Sequence, residues 1–124
     1  MESEAILAVI KWAELNKIEI IGSDILELEI NQMPNAVKKE KVKNFYEVIH
    51  SSIKYTTGIK SRAEEILKNS TIWKYDSLHI ASAETGADIF LTTDDKLIKA
   101  SARLTIKVRV LNPLQYFLEV MNYE

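Results

Sequence analysis

The sequence predicts an α/β fold in which a parallel sheet lies between layers of helices. Three observations predict it: helical spacing of apolar residues in most segments, short β-branched runs between them, and turn residues at nearly every change of period. Residues 2–15 place Ile6, Ile10 and Ala13, with Leu7 and Val9 close by, on the buried face of a first helix. Residues 18–21 are a short buried strand ended by Gly22-Ser23, and it feeds a helix capped by Ser23 or Asp24. That helix runs over 24–32 and stops at Met33-Pro34-Asn35, because the residue before proline avoids the α region. A helix over 36–50 follows, with Val42, Phe45, Val48 and Ile49 on its apolar stripe, and then a strand over 53–57. Gly58 is read as a break, and 61–68 as a helix turning Ala63, Ile66 and Leu67 inward.

The second half is more regular. Residues 74–84 form a helix with Leu78, Ile80, Ala81 and Ala83 as packing residues and Gly86 just past its end. Residues 88–92 make the clearest strand; Ile89-Phe90-Leu91 shows no alternation, as expected of a strand covered on both faces. A helix over 94–104 carries acids in its first turn and Lys99 and Arg103 near its end, the polarity the helix dipole favours. A last strand over 106–111, a turn at Asn112-Pro113 and a helix over 114–121 complete the order. No repeat, linker or low-complexity segment interrupts it, so residues 1–124 are read as a single domain.

Composition narrows the function classes. Apolar residues at 47% and charged residues at 27% are globular values, which excludes a disordered or fibrous chain. Cysteine is absent, which removes disulfides, thiolate zinc sites and cysteine nucleophiles together. No apolar run is long enough for a bilayer and none resembles a signal peptide, so a cytoplasmic location without a membrane partner is the expectation. Sixteen Lys and Arg against eighteen Asp and Glu give a net charge of −2, so RNA contact would have to come from local patches. The two densest are Lys38, Lys39, Lys41 and Lys43, and Lys99, Arg103, Lys107 and Arg109.

In open parallel sheets the ligand site lies beyond the carboxyl ends of the strands. Asp94 sits there, after a strand and at the start of a helix, beside Asp95, Thr92 and Thr93. As a plain residue it is a helix cap, and capping is compatible with ligation. Asp76 lies in the first turn of its helix, where the dipole alone would explain it. On the helix over 24–32 either Glu27 or Glu29 should face solvent, and the pattern leaves open which. Carboxylates gathered at one crest need a cation or a proton between them, and hard oxygen donors select magnesium or manganese. Three glycines and no phosphate loop weaken a nucleotide-binding reading. Ser77 and His79 point in different directions on a helix, which argues against a hydrolytic triad, and His79 is read as a packed, hydrogen-bonded residue.

Three stretches together resemble a known family. Tyr75-Asp76-Ser77-Leu78-His79-Ile80-Ala81, then Gly86-Ala87-Asp88-Ile89-Phe90-Leu91-Thr92-Thr93-Asp94-Asp95-Lys96-Leu97, then Val110-Leu111-Asn112-Pro113 are similar to the carboxyl half of PIN domains, VapC toxins included. Upstream, Gly22-Ser23-Asp24 through Glu29-Ile30 resembles the family's second motif, in which a serine precedes a glutamate by six positions. The resemblance implies a three-layer α/β/α fold and a Mg2+- or Mn2+-dependent endoribonuclease, with RNA as substrate and an antitoxin protein as partner. It implies Glu29, Asp76 and Asp94 as catalytic, metal-binding carboxylates, Asp95 as a further ligand, and Ser23 and Thr92 in support. The alternative is a PIN-fold remnant without catalysis that acts as a binding module.

PIN domains open with a strand that ends in the first catalytic aspartate, whereas this chain opens on the helix that follows it. The resemblance therefore implies a sheet lacking its central strand. About ten ladder hydrogen bonds at ~1 kcal/mol each would be forgone, on the order of a domain's whole stability. The slot is expected to be filled, by an upstream segment in the gene or, for this chain alone, by dimerisation or a strand lent by a partner.

Overall fold

The computed structural model describes residues 2–122, with the side chains of Glu2, Ser3, Lys41, Asn44, Phe45 and Tyr46 left aside. It is a mixed α/β chain. In order it runs α1 (Glu2–Glu14), β1 (Ile20–Ser23), α2 (Asp24–Asn31), α3 (Ala36–Asn44), a 3₁₀ turn (Phe45–Val48), β2 (Ile49–Ile53), α4 (Thr57–Lys68), α5 (Lys74–Gly86), β3 (Ile89–Leu91), α6 (Asp95–Ser101), β4 (Arg109–Leu111) and α7 (Pro113–Asn122). Among the described residues no helix is long and apolar enough to cross a membrane.

The strands form two separate two-stranded parallel sheets, β1 with β2 and β3 with β4. β1 and β3 do not pair with each other, so each keeps one edge free of strand partners among the described residues. The core lies where α4 and α5 meet: Ile59, Ala63 and Ile66 close on Ile80, Ala81 and Ala83, and Ile72, Leu97 and Val108 complete the cluster. Ile80 is fully buried. α1 packs on α7, with Trp12 stacked on Phe117 at 5.7 Å and edge-on to Tyr116 at 6.2 Å.

An ionic cluster ties three segments together. The Arg62 guanidinium donates to both Glu84 carboxylate oxygens, at 2.7 and 3.1 Å, and to the Thr105 carbonyl at 2.8 Å. The Lys107 N–H adds a bond of 2.7 Å to Glu84. Burial works to raise the Glu84 carboxyl, but the bonds from Arg62 and Lys107 outweigh it and hold that carboxyl below its ordinary range.

Several expectations along the chain are corrected. The helix over 36–50 ends at Asn44, and a strand occupies Ile49–Ile53, four residues ahead of the strand read over 53–57. β-Branched Ile49 and Ile53 find parallel partners in Ile20 and Ser23, and a bulge at Ile20/Ile21 leaves His50 without an opposite residue. His50 Nδ1 accepts the Ile20 N–H at 3.2 Å, and Nε2 lies 3.3 Å from Asn16 Oδ1. Asn16 has a positive φ of 58°, the left-handed turn that ends the approach from α1. Gly58 does not break the chain either: it sits in the first turn of α4, where no intrahelical N–H bond is at stake, and Thr56 caps that turn by accepting the Ile59 N–H at 3.2 Å. The first strand begins at Ile20 where 18 was expected, since only from there does β2 lie alongside. Of the residues assigned to the helical stripe and the first basic patch, the side chains of Phe45 and Lys41 lie outside the described ones.

Ser23 ends β1 and caps α2, accepting the Leu26 N–H at 3.1 Å from a buried position. Ser23→Ala removes that acceptor and is expected to cost about 1 kcal/mol, read as a lower urea midpoint at unchanged slope.

Candidate acidic cleft

The free edges of β1 and β3 line one cleft of about 810 Å³. α5 contributes Asp76, His79, Ser82, Ala83 and Gly86 to it, α2 contributes Glu29, and Val9 of α1 and Tyr116 of α7 reach it from the other helix pair. Thr92, just past β3, stands at its rim. Glu19 and Asp88, which precede β1 and β3, line it as well; the carboxylates beyond the strands are placed for reasons that can be followed one by one.

Asp94 is the N-cap of α6. Its Oδ1 accepts the N–H groups of Lys96 and Leu97 at 3.0 and 3.1 Å, while Thr92 Oγ1 accepts the Asp94 N–H at 3.1 Å. The cap uses one oxygen and leaves Oδ2 for another ligand. Asp95 is exposed in the first turn beyond. Glu29 and Glu27 are now distinguished: Glu27 faces solvent, whereas Glu29 turns to α5 and places Oε2 3.0 Å from His79 Nε2. The His79 ring also lies parallel to Phe90 at 6.1 Å, so it is packed and hydrogen-bonded as the sequence suggests.

Asp76 joins these groups. Burial pushes its carboxyl above the ordinary range, His79 opposes that push, and the charges of Asp94 and Glu29 add to it. Asp76, Asp94 and Glu29, from three elements, therefore stand in one another's field. They are not drawn around a common point: among the described residues no three acidic, imidazole or thiol groups are placed to hold a metal. The donor set is hard oxygen, mutually repelling and partly desolvated, and that chemistry suits a divalent cation such as Mg2+ or Mn2+.

Two features escaped the sequence reading. Asp24, beside the Ser23 cap, accepts the Tyr55 N–H at 2.8 Å and so ties the end of β1 to the segment leaving β2. Trp73 precedes α5 without capping it, is 62% exposed, and lies 5.0 Å from the Tyr75 ring, three residues from Asp76. No periodicity signals either, because both depend on contacts made after folding. In the second basic patch Arg109 is bound bidentately to Glu119, at 3.0 and 2.6 Å.

Fold and cleft together define an α/β chain with an acidic crest at the ends of two parallel strand pairs. Compared with known proteins, the chain matches no family model, no curated protein and no solved structure.

Proposed function

We propose that this chain is a divalent-metal-dependent endoribonuclease of the PIN type, with a three-layer arrangement in which Glu29, Asp76 and Asp94 hold Mg2+ or Mn2+. The observation that carries the reading is the raised Asp76 carboxyl, pushed by burial and by the neighbouring charges of Asp94 and Glu29. Carboxylates that destabilise one another when empty become favourable when a cation lies between them. Asp95 stands as a further ligand at the exposed side. A bound metal would supply activation of water and charge neutralisation at phosphorus. The chain's own residues do the rest: Ser23 and Thr92 hold the starts of α2 and α6, and the His79 contact fixes Glu29.

RNA is the substrate in this reading. The exposed Trp73 with Tyr75 offers an aromatic surface on which an unstacked base can lie, next to Asp76 in sequence. An antitoxin protein and a second copy of the chain are the partners that accompany the reading, in the cytoplasm. Cleavage of a mixed RNA set with Mn2+ or Mg2+, abolished by chelator, is the expected result. Absence of metal-dependent cleavage from chain shown to be folded would overturn it.

One observation favours a second reading, a fold remnant that binds without cutting. The acidic groups do not close into a ligand set, and the cleft beside them is open between two strand edges.

A further inference from the structure

We propose that the cleft between β1 and β3 is a strand acceptor, and that its occupant is an extended segment of a partner protein with a β-branched core and a Lys or Arg at its carboxyl end. The cleft has strand edges on both sides. β1 pairs only with β2 and β3 only with β4, and residues 18–23 and 87–91 both line it. Backbone donors and acceptors along such edges are a template for a further strand, and a strand placed here would complete two ladders at once.

The cleft has room for a strand. With a rise of about 3.3 Å per residue, about 4.8 Å between strands and about 10 Å between packed layers, five residues of a strand covered on both faces fill roughly 800 Å³. The cleft, at about 810 Å³ and open to solvent, has room for a segment of that size. Covering is available on both faces, since Ser82 and Ala83 of α5 and Val9 and Tyr116 of the α1–α7 pair all reach it. Small residues on the α5 side leave room for β-branched side chains.

Direction and charge follow from Asp76. Ser23 at the carboxyl end of β1 and Thr92 just past that of β3 line the cleft together with Asp76 and Glu29, and Glu29 meets the Asp76 helix through His79 at 3.0 Å, so the carboxyl ends of β1 and β3 are placed with the acidic groups. A strand inserted parallel to both delivers its own carboxyl end to three acidic groups. Of the charged lining residues, Lys17, Glu19 and Asp88 precede the strands, which leaves Glu29 and Asp76 with His79 at that end, so a basic residue there is the complementary one.

This inference stands independently of whether the acidic group cuts RNA, and its test uses neither RNA nor metal. A fluorescein-labelled peptide with a Val/Ile core of about five residues and a terminal Lys is titrated against the chain in chelator, with anisotropy and amide hydrogen exchange as readouts. Saturable binding is expected, together with slowed exchange at Ile21, Gly22, Phe90 and Leu91. A peptide with proline at the centre of the core should bind about tenfold more weakly or worse, since it lacks a ladder donor. Asp in place of the terminal Lys should weaken binding, and Asp76→Asn should shrink the difference between the two peptides. No saturable binding, unchanged exchange at both strands, or equal binding of the proline peptide would overturn the proposal. A chain that is already dimeric with those amides protected would overturn it too, by giving the cleft to a second copy.

Discussion

Asp76→Asn is expected to reduce metal-dependent RNA cleavage by at least about 100-fold, while leaving the chain more stable than the parent near neutral pH. Loss of a group that only supports a ligand already costs about 10- to 100-fold in metal affinity or activity, so loss of a ligating carboxylate should cost no less. The stability gain has the opposite sign for a definite reason. Burial raises the Asp76 carboxyl, His79 opposes, and Asp94 and Glu29 add to the rise. A carboxyl with a higher pKa in the fold than in the unfolded chain holds its proton more tightly when folded. Ionising it therefore costs stability, beginning as pH rises past the ordinary carboxylate value and complete above the raised one. Asparagine carries no such loss. Urea midpoints at mildly acid and neutral pH check it: the difference between parent and variant should grow with pH. Cleavage by the parent should rise over the same pH range, because the ligand must be ionised. A variant that keeps full cleavage would remove Asp76 from the site, whatever its stability.

Arg62→Ala carries the largest expected stability loss, about 3 kcal/mol against a total of about 5–15 kcal/mol. The variant leaves Glu84, whose side chain is only 6% exposed, with the Lys107 N–H as its remaining hydrogen bond, and it frees the Thr105 carbonyl. Arg62 itself is 26% exposed at the side chain, which places the loss at the low end of what breaking a buried pair costs. The pH dependence runs opposite to that of Asp76. Burial tends to raise Glu84, but the Arg62 and Lys107 bonds hold it low, so its contribution is present above the ordinary glutamate value and lost as pH falls through the depressed one. Thermal unfolding of Arg62→Ala should therefore show a much lower midpoint at neutral pH and a smaller gap from the parent in acid. Arg62→Lys keeps the charge without the planar fork and is expected to fall between. An unchanged midpoint for Arg62→Ala would remove this cluster from the account of how α4, α5 and the segment before β4 are held.

Much of this protein was legible as local signal. The α/β class, the parallel strands, the start of α5 and the order of the last four elements follow from apolar period, β-branched runs and turn residues, all set by neighbours in sequence. The caps at Ser23 and Asp94 are local for the same reason, since each bonds N–H groups two or three residues on. Tertiary contact decided the rest. Residues 45–50 read as helix until Ile49 and Ile53 meet β1, and the pairing with its bulge outweighs the helical spacing. Glu29 was separated from Glu27 by an imidazole fifty residues away, and Asp76 departs from a plain first-turn acid through burial and two charges brought from other elements. The separation of the strands into two sheets was also decided in three dimensions: pairing of β1 and β3 depends on what lies between them, and there the fold leaves a cleft. Sequence determines which segments can be strands because that preference is a property of each residue and its neighbours; which edges meet depends on how the helices stack around them, and only the folded chain fixes that.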